Sequence, residues 1–224
     1  MSNESLFIIC TLANILFVLF SARGGRSWLF GSIAINFVLA NIFGSKLITI
    51  FGLTIGAGNM FYASIFLATH FIFERYGKHE ALKTIWYGVG FMVFFTIMAQ
   101  GAVKFAGFST DDVLSDAMIT LFSFLPRVVL GSILAYIFAQ YLNIVMYDWI
   151  GKMTRGKFLW LRTNGANIVS QCLDSAIFFS IAFFDLPGPI LVQVIFAGVS
   201  IKVLVIAMGT PFLYIDNYFK QQHE

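Results

Sequence analysis

Seven apolar runs divide the chain, at about 6–22, 28–50, 59–75, 82–104, 117–150, 161–184 and 189–214. Each is about 17 residues or longer and none alternates with period two, so each reads as a membrane-spanning helix and not as a barrel strand. The expected fold is an all-α membrane protein, a polytopic bundle of seven transmembrane helices. The fifth run is longer than a bilayer requires and is expected to tilt or project into the cytoplasm. The uncharged, Gly-rich link 51–58 reads as a turn on the outer side. Thr210 and Pro211 are expected to kink or end the last helix, with Tyr214 and Tyr218 at the interface.

The sixth run, LRTNGANIVSQCLDSAIFFSIAFF, breaks the apolar pattern in a regular way. At 100° per residue, Asn164, Asn167, Gln171 and Asp174 fall within roughly 80° of one helix face. Ser170 flanks that stripe and Phe178 continues it. Asp174 lies near the middle, where an ionised side chain costs about 2.5–3.5 kcal/mol on insertion scales. It must therefore face protein or water, and the other helices are expected to gather around it.

The composition agrees, with 59% hydrophobic and 11% charged residues and a mean hydropathy of +0.85. These values exclude an ordinary soluble domain. One compact domain over 1–224 is expected. The net charge of +3 includes no cluster dense enough for nucleic acid. Its placement is more informative. Arg23 and Arg26, then Arg75, Lys78 and Lys83, then Lys152, Arg155, Lys157 and Arg162, and finally Lys220 all fall on one side of a seven-helix arrangement. The positive-inside rule then puts the N-terminus outside and the C-terminus in the cytoplasm. The first run is preceded by Glu4 and followed by its arginines, so it reads as a retained helix and not a signal peptide. Cys10 and Cys172 read as small buried hydrophobes, with no disulfide expected. The three histidines lack metal-site spacing, and no metal or cofactor is expected. No P-loop, HExxH motif or serine-histidine set is present, so nothing points to an enzyme.

Other polar residues inside the helices are Lys202, Arg127, His70, Glu74, Gln100, Gln140 and Asn143. Lys202 lies near the middle of its helix, so a buried pair with Asp174 is sterically reasonable. Arg127 and Lys202 outnumber that aspartate, leaving a positive charge for Glu74 or a ligand. Asn59, His70 and Glu74 share a face of the third helix, and Tyr136, Gln140, Asn143 and Tyr147 form a stripe on the fifth. The bland readings are a solvated terminus for Glu74, a hydrogen-bonded core histidine for His70, and helix-packing bonds for the tyrosine-bearing stripe. Gly131, Ala135 and Ala139, and more briefly Ala40 and Gly44, are small-residue rows expected to serve internal packing.

Several segments together resemble a known family. ANIFGSKLITIFGLTIGAGN, FERYGKHEA, FSFLPRVVLGSILAYIFAQYLN, WLRTNGANIVSQCLDSAIFFSIAFF, the isolated Lys202 and TPFLYI are similar, in the same order, to the queuosine precursor transporter family, also called the vitamin uptake transporter type. Arg162, Ser170, Gln171 and Asp174 carry the most specific part, and Arg127, Tyr136, Gln140, Glu74, Tyr76, Gly77 and Lys202 also match. His70 stands where the resemblance leads one to expect an aspartate after Thr69, and Asn143 where an aspartate commonly follows the glutamine. The resemblance implies a six-helix core over 28–224, with 1–27 an additional N-terminal helix and its connection. That core would be similar to the substrate-binding subunits of energy-coupling-factor vitamin importers. The implied function is import of 7-deazaguanine bases such as preQ0, preQ1 or queuine across a prokaryotic inner membrane.

A deazaguanine offers N1–H and a 2-amino group side by side, two donors that one carboxylate accepts together. Asp174 is the candidate for that contact. Gln171, Arg127 or Lys202 would donate to the carbonyl, and Phe178 or Tyr136 would stack on the ring. Asn167, Gln140, His70 and Glu74 complete the candidate substrate site. The expected partners are a nucleobase-like small molecule and the lipid bilayer, with no nucleic acid. A homodimer and a separate energising module stay open, as do two rival readings: a binding subunit of a multi-subunit importer, and a structural membrane protein with buried ion pairs.

Overall fold

The computed structural model describes residues 2–44, 46–105, 113–123, 125–182 and 188–221. Helix α1 (Asn3–Gly24) is capped by Ser2, whose hydroxyl accepts from the Ser5 amide. Gly25, at φ 90°, turns the chain into α2 (Arg26–Gly44). The buried face of α1 carries Phe7, Thr11, Ile15, Val18 and Ala22, one residue per turn. Asn14 donates to Asn36 at 2.7 Å and ties α1 to α2.

The second apolar run does not stay helical to residue 50. It ends at Gly44, and two antiparallel strands follow, β1 (Leu47–Ile50) and β2 (Leu53–Gly56), with Ile50 opposite Leu53. Phe51 and Gly52 make the two-residue turn, both at positive φ, as a primed turn requires. Strand and helix were not separable here because a short apolar run is compatible with either. Ile50 and Ile55 pack with Phe7 of α1 and with Ile201, Val205 and Ile206 further along the chain. Asn3 and the Glu4 carboxylate bond to the backbone at Thr49 and Phe51, so the start of α1 holds the hairpin in place.

Helices α3 (Asn59–Tyr76) and α4 (Lys78–Ala102) meet at Gly77, φ 83°. The expected fifth helix is helical on both sides of residue 124, which itself lies outside the described residues. Helix α5 covers Val113–Ser123 and α6 covers Leu125–Met153. Gln100 of α4 donates to the Phe122 carbonyl and draws α5 back against α4. Helix α7 (Leu159–Ala182) and α8 (Gly188–Gln221) complete the chain, and α8 continues through Pro211 instead of ending there. Asp111 and Asp112, in the acidic loop, and the side chains of Tyr214 and Tyr218 lie outside the described residues.

The fold is that of an all-α membrane protein. Five stretches are long and apolar enough to cross a bilayer, one of them the α3–α4 run, and α8 adds a shorter apolar stretch over 195–211. The core is built from Ile15, Leu29, Ile33, Phe37, Ile65, Phe71, Met92, Tyr136 and Tyr147. Trp86, Phe94 and Ile97 of α4 and Phe138 and Tyr141 of α6 point outward, the arrangement of a lipid-facing surface. The small-residue rows do serve internal contacts. A Cβ on Gly131 would meet Ile181 of α7 at 3.3 Å, and one on Gly58 would meet the Ala40 carbonyl oxygen at 2.1 Å.

Candidate functional site

The polar residues of α3, α6, α7 and α8 meet inside the bundle in three layers. In the first, at the meeting ends of α3 and α7, the Arg162 guanidinium bonds Glu74 at 2.8 Å and lies 4.3 Å over the Tyr147 ring. The Tyr147 hydroxyl donates to the same carboxylate oxygen at 3.1 Å. Arg162, counted from sequence with the basic loop residues, is only 8% exposed. Gly151 makes its entry possible, since a Cβ there would come within 2.9 Å of the guanidinium. Glu74, half-buried, is thus tied into this network and is not a freely solvated helix end.

The second layer centres on Asn143. Its carbonyl oxygen takes the His70 Nε2 contact at 2.9 Å, while its amide donates to Asn167 at 2.7 Å and Ser170 at 3.2 Å. The His70 ring stacks on Tyr147, centroids 4.3 Å apart. Gln140 donates to the hydroxyls of Thr69 and Thr84, and Tyr136 donates to the Thr84 carbonyl while stacking on Phe37. Tyr136, Gln140, Asn143 and Tyr147 are each at most 1% exposed, so the stripe read from the sequence is the inward face of α6.

The third layer is the ion pair. Lys202 donates to Asp174 and, at 3.4 Å, to Ser175, with its ammonium 4.5 Å over the Tyr62 ring. Between the second and third layers lies Gln171. It is fully buried, and neither atom of its amide has a hydrogen-bond partner among the described residues. The Nδ1 of His70 and the Ser64 hydroxyl are also unpartnered. Beneath Gln171, Leu67, His70, Thr163, Asn167, Ile206 and Gly209 line a pocket with room for about one water molecule.

The structure therefore brings Asp174, Gln171, Asn167, Lys202, Tyr136, Gln140, His70 and Glu74 into one interior region. Phe178 lies beyond Asp174 on the same helix, edge-to-face with Phe179 at 5.2 Å. Arg127 is in the first turn of α6, and its side chain lies outside the described residues. Sequence reasoning did not find Tyr62 beneath Lys202, Ser64, or the hydroxyls of Thr69 and Thr84. Small polar residues in apolar helices give no signal until their neighbours are known. Cys172, expected to be buried, is on the exposed face of α7.

Comparison with known proteins adds an independent line. A family model described as "Putative vitamin uptake transporter" matches residues 56–215, from the end of β2 into α8. Over 217 residues the chain is 36% identical to a protein of Bacillus subtilis (strain 168) named "Probable queuosine precursor transporter", covering 96% of this chain and 94% of that one. A Haemophilus influenzae (strain ATCC 51907 / DSM 11121 / KW20 / Rd) protein of the same name is 26% identical over 137 residues, 61% of this chain and 55% of its own length. No solved structure matches significantly.

Proposed function

Because this chain belongs to the vitamin uptake transporter family, we propose that it imports queuosine precursors, 7-deazaguanine bases such as preQ0, preQ1 or queuine, for salvage into tRNA. The family is one of transporters, and the chain is not an enzyme. The membrane is the inner membrane of a prokaryote, with the N-terminus outside and the C-terminus in the cytoplasm, as the lysine and arginine distribution favours.

One observation carries the assignment of the substrate site. Gln171 keeps both amide atoms buried and unbonded. Such a group costs about 1–3 kcal/mol in the empty protein, and a ligand that completes its bonds recovers that cost. A guanine-like edge fits. The Gln171 amide N–H donates to the base carbonyl, its oxygen accepts N1–H, and Asp174, three residues on along α7, accepts the 2-amino group. Lys202 orients that carboxylate, while Asn167, Gln140, Tyr136 and Glu74 frame the cavity. The small pocket beneath Gln171 has room for about one water molecule, so admitting the base requires α3 and α8 to separate from α7. A site in the interior of the bundle suits exposure to each side of the membrane in turn.

The test is uptake of radiolabelled queuine and its 7-deazaguanine precursors into liposomes containing only this purified chain. Saturable uptake is expected, competed by 7-deazaguanine and not by 7-deazaadenine. Binding without uptake would instead mark a subunit that needs an energising module. Absence of saturable binding by folded protein would overturn the reading.

A further inference from the structure

We infer that His70 is the site of a coupling proton, so that each base enters together with one H⁺; the inference rests on the import reading above. Inside the bundle, Glu74 of α3 is committed to Arg162 of α7 and to the Tyr147 hydroxyl of α6, and Asp174 of α7 is committed to Lys202 of α8. Helices α2 and α4 carry their charged residues only near their ends, as Arg26, Lys78, Glu80 and Lys83. Changing the charge of either carboxylate therefore breaks an ion pair that a buried site needs. His70 makes no ion pair among the described residues. It is 1% exposed, held by a neutral amide and stacked on the Tyr147 ring, over which the Arg162 guanidinium also lies, the one charge near it among those residues.

The hydrogen-bond pattern also fixes where the proton would sit. Asn143 uses its amide group as donor to Asn167 and Ser170, so its oxygen is an acceptor and the neutral imidazole carries its hydrogen on Nε2. Nδ1 then has a bare lone pair, and it has no partner among the described residues. The water-sized pocket touches this residue from the α7 and α8 side. Open to the outside, Nδ1 takes a proton from a hydronium ion, whose O–H bond breaks to leave water as the N–H bond forms, and the ring becomes imidazolium. Open to the cytoplasm, the same N–H bond breaks and the proton returns to water.

The experiment compares wild type with His70→Gln in proteoliposomes, with the membrane potential clamped at zero. Glutamine keeps an amide donor toward Asn143 and cannot titrate. With one proton per base, wild-type accumulation is expected to rise about tenfold per unit of inward-directed pH gradient, and a dye inside the vesicles to acidify with uptake. His70→Gln is expected to exchange labelled for unlabelled base, yet to accumulate none in response to the gradient. Wild-type uptake that ignores the gradient and leaves the dye unchanged would overturn the inference while leaving import intact. So would a His70→Gln protein that responds like wild type, or one that is folded but neither binds nor exchanges, which would make His70 a substrate ligand. No uptake by wild type under any condition would defeat the import reading itself.

Discussion

Lys202 on α8 donates to Asp174 on α7, and neither residue exposes more than 5% of its surface. The pair joins the two helices at the layer where the third helix contributes Tyr62. A buried pair of this kind is worth little against apolar replacements of both partners, but removing one partner leaves the other charge uncompensated. Asp174→Asn is therefore expected to lose about 3–5 kcal/mol, read as a fall in the thermal unfolding midpoint in detergent. Adding Lys202→Met should recover most of that loss. Binding of the 7-deazaguanine base should be absent from both variants, which separates the carboxylate's contribution to binding from its contribution to stability.

Gln171 predicts the opposite balance. Leucine at this position has no polar atoms to leave unbonded, so Gln171→Leu is expected to hold or raise the stability of the empty protein, by up to about 1–3 kcal/mol. The same change removes the donor and acceptor proposed to meet the base. The outcome to look for is a variant that unfolds at or above the wild-type temperature and binds at least about tenfold more weakly, a loss of about 1.4 kcal/mol. A Gln171→Leu protein that is much less stable would mean that the amide has a structural partner after all.

The helical period alone made much of this region legible. Tyr136, Gln140, Asn143 and Tyr147 recur at three- and four-residue spacing, and so do Asn167, Gln171 and Asp174, so their faces were evident before any contact was known. A pair of Lys202 with Asp174 was open to reading from two charges at similar depth, with Arg127 a second cation that the sequence left equally available. The partnership of Arg162 with Glu74 did not, because both sit at helix ends, where solvation is the ordinary expectation, and their meeting depends on how α3 and α7 are brought together. The hairpin was hidden for a different reason. Leu47, Ile48, Ile50, Leu53 and Ile55 are as apolar as a spanning helix, and only the turn at Phe51 and Gly52 distinguishes them.

The hairpin and α3 close against α2 through glycine, and the contact is backbone against backbone. A Cβ on Gly58 would lie 2.1 Å from the Ala40 oxygen and 2.8 Å from the Gly44 nitrogen, neither of which can swing aside. Gly58→Ala is expected to cost at least about 1–3 kcal/mol, as overpacking does elsewhere. Gly90, inside α4, has nothing within 4 Å of the same added atom. Gly90→Ala should gain up to about 1 kcal/mol from helix propensity. Thermal unfolding of the two variants side by side should move in opposite directions.

The Arg162 layer offers a test of coupling between residues on neighbouring helices. Arg162→Lys keeps the charge but loses the planar stack on Tyr147 and the guanidinium's extra donors, for an expected cost of about 1–2 kcal/mol. Gly151→Ala crowds the same guanidinium from α6, with the new Cβ 2.9 Å from its Nε. In the wild-type background that substitution should therefore destabilise, because the stack and the bond to Glu74 must shift together. Once Arg162 is lysine, the crowding largely disappears and the helix propensity of alanine remains, so Gly151→Ala should become neutral or favourable. The coupling, measured by thermal unfolding of both single variants and the double, is expected to be about 1 kcal/mol. Strictly additive losses would mean that Gly151 is there for some reason other than admitting Arg162.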